Sequence, residues 1–235
     1  MTEELFREDA YLRRCEAYVT AAAADGISLN RTVFYPMGGG QPGDTGVLRL
    51  PDGTQIVITD TRKGEAGDIL HIPGLGMALP PVGTTVVAEI DWERRYRHMR
   101  MHTCLHLLCA VIGAGVTGGA ISADRGRLDF DLPEPLDKQQ VAAKLNRLIQ
   151  ENHATRMQWI TDAELEAQPE LVKTLSVQPP RGQGRVRLLD IPSVDLQPCG
   201  GTHVASTAEI GPVTVTKIEK KSRHNRRVNI AFADS

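Results

Sequence analysis

The sequence predicts an α+β protein in which a small N-terminal β-barrel, in residues 1–90, precedes an α+β domain in residues 91–235. Three observations favour this fold class. Short runs of alternating apolar residues, separated by turn-forming residues, recur up to residue 90. A stretch of helix-forming residues without proline or glycine begins at Asp91. Beyond it, helical and strand-like periodicities follow one another along the chain.

The predicted barrel rests on three alternating runs, at 55–59, 68–72 and 85–90. Turn-rich segments such as 51–53 lie between them. Short strands at close spacing with turns between them are typical of a small barrel. The Ala-rich segment 20–26 is compatible with either a turn or a short helix.

The first predicted helix runs from Asp91 to about residue 112. Asp91 suits the N-cap position, because its carboxylate accepts hydrogen bonds from the N–H groups of the first turn. Gly113 and Gly115 are expected to end the helix, since glycine readily adopts the conformation that follows a last helical turn.

Two further helices are predicted. In 138–152 the apolar residues recur at helical spacing, and Asp137 followed by Gln140 resembles a capping box. A third, shorter helix begins at Thr161, with Glu164 three residues later.

Four strands are predicted in the C-terminal part of the chain, at 127–131, Arg185–Ile191, 212–219 and 227–232. Asp129 in the first of them has two interpretations. It either lies on a solvated face or orients a metal ligand through a hydrogen bond.

Composition places the chain among ordinary globular proteins, with 41% hydrophobic and 24% charged residues. The net charge of −2 means that any nucleic-acid contact must come from local clusters of basic residues. No apolar run approaches the roughly 18 residues of a membrane span, and the N-terminus lacks a signal-peptide core, so the predicted compartment is the cytoplasm. There the cysteines are expected to be thiols or metal ligands: Cys15, Cys104, Cys109 and Cys199.

Two motifs predict one zinc site. His102 and His106 are four residues apart in the first helix, so both imidazoles point to the same side and can bind a single ion. Cys199 and His203 form a second pair around two glycines. Three imidazoles and a thiolate are a reasonable zinc ligand set. The spacing leaves open whether the zinc is structural and closed or catalytic with an open position.

Residues next to the histidine ligands limit the reactions expected at this site. A zinc metalloprotease would carry a glutamate beside the first histidine, where this chain has Thr103, so protease activity is a poor alternative. Cys104 and Cys109 are expected to be core thiols. His98, one turn before His102, is expected either to support the site through a hydrogen bond or to lie on the surface.

The motifs resemble a known family. HTCLHLL at 102–108 and PCGGTHV at 198–204 are similar to the editing domain of alanyl-tRNA synthetase, and more closely to the free-standing alanyl-tRNA editing proteins of the AlaX family. FYPMGGGQPGDTG at 34–46 is close to the glycine-rich stretch of the longer, two-domain form, and 210–230 is similar as well. The resemblance covers nearly the whole chain.

The resemblance implies a translation-factor-like barrel joined to an editing domain, with zinc bound by His102, His106, Cys199 and His203. It also implies hydrolysis of the aminoacyl ester of Ser-tRNA(Ala), and of Gly-tRNA(Ala) in some members. The expected partner is therefore tRNA(Ala) charged with serine or glycine. Two alternatives stay open, a tRNA-binding protein with a structural zinc and a deacylase of another mischarged aminoacyl-tRNA.

Two residues are candidates for catalysis and serine selection. Thr103 lies between the two helical ligands, and its hydroxyl can recognise the serine hydroxyl or bond to its own helix carbonyl. Gln41 follows a glycine turn that includes Gly39 and Gly40, and this segment either contacts substrate or is a structural turn.

Substrate contacts are predicted at two further places. Gly118 and Gly119 form an expected bend that lets the tRNA 3′ end approach the backbone, or else a plain turn. The segment 217–227 is strongly basic and is expected to contact phosphates, the alternative being a solvated charged face. Its basic residues are Lys217, Lys220, Lys221, Arg223, Arg226 and Arg227. A second basic stretch near the metal-binding helix holds Arg94, Arg95, Arg97 and Arg100.

Overall fold

A computed structural model describes residues 1–175 and 184–233 of the chain. The chain divides into two compact units, Met1–Tyr96 and Arg97–Ser235. The fold class is mixed α and β, as predicted, with a closed six-stranded barrel and three α-helices in the described part of the chain. The predicted domain boundary near residue 90 lies just before the point where the two units divide.

The N-terminal unit is the predicted barrel. Its closed order is β2-β3-β7-β6-β5-β8, and all six neighbouring pairs are antiparallel. Closure leaves no open sheet edge. Outside the barrel, β1 pairs with β4 in parallel. The strands are β1 Glu3–Glu4, β2 Arg14–Ala23, β3 Gly26–Leu29, β4 Arg31–Thr32, β5 Gly46–Arg49, β6 Gln55–Lys63, β7 Ile69–Pro73 and β8 Thr85–Ile90.

Alternation of apolar residues explains the barrel interior. Every second residue of β8 is buried, and Ile56 and Ile58 of β6 likewise face inward. The three predicted runs are confirmed as parts of β6, β7 and β8. The Ala-rich segment 20–26 is neither a helix nor a simple turn, because it forms the end of β2 and the tight connection to β3.

Helix α1, Trp92–Ile112, begins in the N-terminal unit and continues into the C-terminal one. Both predicted ends are confirmed. The Asp91 carboxylate accepts a hydrogen bond from the Arg94 N–H at 3.1 Å, and Gly113 adopts a φ of 70°. In its second half α1 packs on β10, where a Cβ at Gly126 would come within 2.8 Å of the Met101 Sδ. No helix among the described residues is long and apolar enough to cross a membrane.

The C-terminal unit has two sheets. A four-stranded sheet has the order β14-β15-β10-β9, and a three-stranded sheet has the order β11-β12-β13. The strands are β9 Val116–Ile121, β10 Arg125–Asp131, β11 Arg156–Thr161, β12 Arg185–Ile191, β13 Asp195–Pro198, β14 Val213–Ser222 and β15 Asn225–Phe232. All four predicted strands are confirmed within this set, whereas β9, β11 and β13 were not predicted.

The helices of this unit follow their sequence signals. Helix α2 spans Lys138–Gln150, and Asp137 caps it by accepting two backbone hydrogen bonds. Helix α3 spans Asp162–Glu166 and follows the predicted start at Thr161, whose side chain forms a capping box with Glu164. Helix α2 packs against β14 through its apolar stripe.

The predicted bend at Gly118 and Gly119 is wrong, because both glycines lie inside strand β9. A bulge interrupts the pairing of β9 with β10, between Asp129 and Phe130. A Cβ at Gly119 would come within 2.8 Å of the Leu128 side chain. This glycine therefore permits close packing on the neighbouring strand, and the substrate contact proposed for the pair loses the bend on which it rested.

Candidate metal centre

Helix α1 supplies two of the four candidate ligands. His102 and His106 are buried, and their ring centroids lie 5.3 Å apart. Residues four apart share one side of a helix, so both imidazoles face the same space. Met101 and Leu105, each one position earlier, lie against β10 instead. The helix is thus held by one side while the other presents the histidines.

The segment after β13 supplies the other two ligands, Cys199 and His203. Arg187 of β12 holds this segment in place. Its carbonyl accepts the Cys199 N–H at 3.0 Å, and its guanidinium donates to the carbonyl oxygens of Cys199 at 3.2 Å and Gly201 at 2.7 Å. The turn between the thiol and the imidazole is therefore fixed by hydrogen bonds from a buried arginine.

The four side chains converge. One ligand atom from each of His102, His106, Cys199 and His203 lies within 4.8 Å of the others. The Cys199 Sγ is 3.5 Å from the His102 Nε2 and 3.1 Å from the His203 Nε2. Ligand atoms that each lie about 2.0–2.3 Å from one tetrahedral ion are separated from one another by distances close to these two. The residues therefore fit a metal ion, and the structure brings together all four predicted ligands.

Electrostatics supports this assignment. Burial raises the pKa of the Cys199 thiol, but the adjacent imidazoles of His102, His203 and His106 outweigh burial and hold the pKa well below the usual value. The thiolate is the form of cysteine that binds metals. Burial lowers the pKa of His203 to about 3, which favours the neutral form that binds metals. Burial also lowers the pKa of His106, but Cys199 and Asp195 outweigh burial and raise that pKa to about 9.

Asp195 on β13 supports the site and was missed in the sequence. The His106 Nδ1 lies 3.1 Å from the Asp195 Oδ2, which also accepts a hydrogen bond from the Gln197 Nε2 at 2.6 Å. Lys173 forms an ion pair with the other carboxylate oxygen. Burial raises the pKa of Asp195, yet the hydrogen bonds and charges of His106, Lys173 and Gln197 leave it lowered. A strand prediction at 195–198 would have found the signal, since it places two polar side chains on one face.

Thr103 is fully buried beneath the ligands. Its hydroxyl donates to the Met99 carbonyl at 3.0 Å, which is the predicted bond to its own helix. The same oxygen accepts the Val204 N–H at 3.3 Å and lies 3.2 Å from the His203 Nδ1. One donor and two acceptor positions are all that a hydroxyl has. Its contacts are therefore with the helix and with a ligand.

Gln41 lies in the N-terminal unit and is fully buried. Its backbone N–H and carbonyl pair with Gly38 at 2.9 and 3.1 Å. Gly39 and Gly40 have φ angles of 57° and 82°, which favour glycine. The structural-turn interpretation of 38–41 thus describes the backbone, and a role of Gln41 toward substrate stays a prediction.

The basic segment 217–227 forms the hairpin of β14 and β15. Lys220 and Lys221 are exposed, as a phosphate contact requires. Arg226 is instead buried, and its guanidinium donates to the carbonyl oxygens of Ser222, Asn225 and Pro133. Arg227 makes a two-point ion pair with Asp129, at 2.7 and 2.8 Å.

That pairing corrects the alternatives for Asp129. Its carboxylate binds Arg227 and Arg127, so it neither orients a metal ligand nor lies on a simply solvated face.

In the second basic stretch, one of the four arginines is not available for a phosphate contact. Arg95 is fully buried and bonds to Asp44 and to the Val33 carbonyl. The other members likewise bond within their own units: Arg94 to Gly43, Arg97 to Asp124 and Arg100 to Ile210.

Two cysteines are core thiols, as predicted. Cys104 and Cys109 are buried, and burial raises the pKa of each to about 12. His98 is buried as well, so the surface alternative for it is wrong.

Comparisons with known proteins agree with the motifs. Residues 186–229 match the family described as the threonyl and alanyl tRNA synthetase second additional domain, and residues 10–94 match class II (A) tRNA synthetases. The chain is 37% identical to the alanyl-tRNA editing protein AlaX-M of Methanosarcina acetivorans, over 100% of both chains. It is 35% identical to AlaX-M of Saccharolobus solfataricus, over 97% of this chain and 98% of that protein. It is also 34% identical to an alanine–tRNA ligase of Pyrococcus furiosus, covering 100% of this chain but 26% of that enzyme.

Proposed function

The chain belongs to the alanyl-tRNA editing proteins of the AlaX-M type, and from this membership we propose that it hydrolyses tRNA(Ala) mischarged with serine or glycine. The reaction breaks the ester between the aminoacyl carbonyl and a ribose hydroxyl at the tRNA 3′ end, with water as the second reactant. The single observation that carries the proposal is the convergence of His102, His106, Cys199 and His203 within 4.8 Å. We also propose that the barrel is of the translation-factor type, that the two units are the two domains of the family, and that the protein works in the cytoplasm, where charged tRNA is found.

The metal proposed for this centre is zinc, because three imidazoles and one thiolate are borderline-soft ligands that suit it. When bound, zinc supplies Lewis-acid polarisation to the ester that is to be hydrolysed. The protein's own residues hold the ligands in place. Arg187 fixes the turn that carries Cys199, and Thr103 accepts from His203, so the ligand atoms are positioned before an ion binds.

Thr103 has a positioning role in this proposal. Its hydroxyl is engaged by Met99, Val204 and His203. A direct bond to the serine hydroxyl would require one of these contacts to break. Selection of serine over alanine needs a polar group that is left unpaired when alanine is bound. Gln41, on the turn that includes Gly39 and Gly40, stays the other candidate for recognising the serine hydroxyl.

For tRNA binding we propose Lys220 and Lys221 at the tip of the β14–β15 hairpin. Both are exposed, and phosphate contacts by lysine make affinity fall as salt rises. Arg226 and Arg227 stabilise the hairpin through the contacts described above, so charge removal at the two lysines is the sharper test. The double substitution Lys220→Gln/Lys221→Gln should weaken tRNA binding and reduce the slope of log affinity against log salt by about 2.

The deciding experiment is deacylation of Ser-tRNA(Ala), Gly-tRNA(Ala) and Ala-tRNA(Ala) by zinc-loaded and chelator-stripped protein. Zinc-dependent loss of serine with alanine retained is the expected result. Two other outcomes overturn parts of the proposal. Full activity in stripped, folded protein would make the metal structural, and binding of tRNA without cleavage would indicate a tRNA-binding protein with a structural zinc. The second function is kept as an alternative because four protein ligands are enough to close a structural zinc site.

A further inference from the structure

We propose that Asp195 is a positioning residue for the metal centre, which holds His106 so that its Nε2 is the atom presented to the ion. The inference rests on the metal-dependent function proposed above. It concerns a residue outside the four ligands and outside both sequence motifs.

The geometry defines which nitrogen of His106 is available. The Nδ1 lies 3.1 Å from the Asp195 Oδ2, within hydrogen-bond distance. An ionised carboxylate only accepts, so the Nδ1 carries the hydrogen and donates it. In a neutral imidazole the other nitrogen then has the free lone pair. The Nε2 is therefore the ligand atom, and the ring cannot turn without losing the bond to Asp195.

Both oxygens of the carboxylate accept from donors within the protein. The Asp195 side chain has no exposed surface, and an unpaired buried carboxylate is strongly disfavoured. Gln197 donates to the Oδ2 at 2.6 Å, and Lys173 binds the Oδ1 as an ion pair. Three donors from different parts of the chain thus converge on one carboxylate. A network that fixes a carboxylate this fully also fixes whatever the carboxylate orients.

His106 is supported by a charged group, the Asp195 carboxylate. His203 has a comparable bond from its Nδ1, but its partner is the neutral hydroxyl of Thr103 at 3.2 Å. A carboxylate that accepts from a ligating imidazole raises its basicity as well as setting its orientation. We therefore expect loss of the Asp195 charge to weaken metal binding more than loss of the Thr103 hydroxyl.

The test uses the full-length protein and measures metal affinity by competition with a chromophoric chelator. Asp195→Asn should weaken zinc binding about 10–100-fold, and Thr103→Val should weaken it less. The cobalt-substituted variant should show shifted visible absorption, a signature of changed ligand geometry that a purely structural role would not produce. Asp190→Asn is the matched control, because Asp190 lies in the same three-stranded sheet but bonds to Gln158 at 2.6 Å. It should bind zinc and cobalt as the wild type does.

Two results overturn the proposal. One is wild-type metal affinity and an unchanged cobalt spectrum in Asp195→Asn, and the other is equal weakening in Asp190→Asn. If Asp195→Asn does not fold, nitrogen-15 NMR of the histidine rings in zinc-loaded wild type decides. His106 should carry hydrogen on its Nδ1 and bind metal through its Nε2, and the reverse pattern excludes a role for Asp195. None of these measurements uses tRNA, so a failure here is distinct from a failure of the proposed deacylation.

Discussion

Buried histidines occur in both units, and their surroundings differ. In the barrel, His71 uses both ring nitrogens: the Nδ1 lies 2.9 Å from the Ile27 carbonyl, and the Nε2 lies 2.8 Å from the Thr32 hydroxyl. In the metal centre, His106 and His203 each have the Nδ1 bonded to a neighbour, while the Nε2 of His203 faces the Cys199 thiol. The first arrangement is closed, in the sense that both ring nitrogens have hydrogen-bond partners within the barrel. In the second, lone pairs of the candidate ligand atoms are directed at one another.

The buried ion pair of the barrel shows the same closure. Asp44 binds Arg95, and further guanidinium N–H groups donate to the carbonyl oxygens of Val33 and Ala10. Each of the three guanidinium nitrogens therefore has an acceptor within the protein. Converging lone pairs repel and are stabilised by a cation. The difference teaches that a buried polar cluster signals a ligand only when its own hydrogen bonds cannot satisfy it.

The largest expected effect comes from breaking the open cluster. Cys199→Ser removes the thiolate that the three histidines favour, so metal binding should be lost and deacylation should fall to the rate of spontaneous ester hydrolysis. Bound zinc per chain and Ser-tRNA(Ala) hydrolysis measure this. Cys15→Ser, a cysteine of the barrel, should retain both. A Cys199→Ser protein with full activity and no bound zinc would remove the metal from the mechanism, and one with full zinc content would remove Cys199 from the ligand set.

Breaking the closed ion pair should affect stability instead. Asp44→Ala leaves the buried Arg95 charge without its partner, so the free energy of unfolding should fall by about 3–5 kcal/mol. Urea denaturation measures it. Arg49→Ala, which breaks the exposed pair with Glu89, is the control and should cost about 0–1 kcal/mol. Equal losses of unfolding free energy in the two variants would mean that burial does not make the first ion pair more important for stability than the exposed one.

The closed histidine predicts a pH dependence. Burial lowers the pKa of His71 from 6.5 to about 4, so the folded barrel favours the neutral ring. Its contribution is complete above pH 6.5 and is lost as pH falls towards 4, to a limit of about 3 kcal/mol. Urea denaturation of zinc-loaded wild type and His71→Gln between pH 7 and 4 isolates the effect. The wild type should lose more stability than the variant over that interval, and parallel curves would contradict the assignment.

The smallest expected effect on stability comes from an exposed hydrogen bond. Asp137 caps α2 from the surface, so Asp137→Ala should lower the free energy of unfolding by about 1 kcal/mol. Asp137→Asn keeps an acceptor and should cost less. Thermal denaturation of the two variants side by side measures the difference. A larger loss than that of Asp44→Ala would reverse the ranking of buried over exposed contacts.

Local signals in the sequence predicted much of the fold. Asp91, Asp137 and Thr161 each mark the start of a helix, because capping depends on residues within one turn. Alternation located β8 to the residue, and the predicted bounds of β12 are also those of the strand. Segment 116–121 escaped prediction because its glycines read as a turn, although in β9 they allow close packing against β10.

What the sequence alone determined is the set of four candidate metal ligands and the helix that carries two of them. A spacing of four residues in a helix already places His102 and His106 together, so no tertiary information is needed for that pair. Only the tertiary structure decided which other polar groups serve the site. Asp195 meets His106 across 89 residues of chain and Lys173 across 22, and Arg227 is turned to Asp129 rather than to solvent. The physical reason is that periodicity describes neighbours within one element, whereas the partner of a buried charge is set by how separate elements pack.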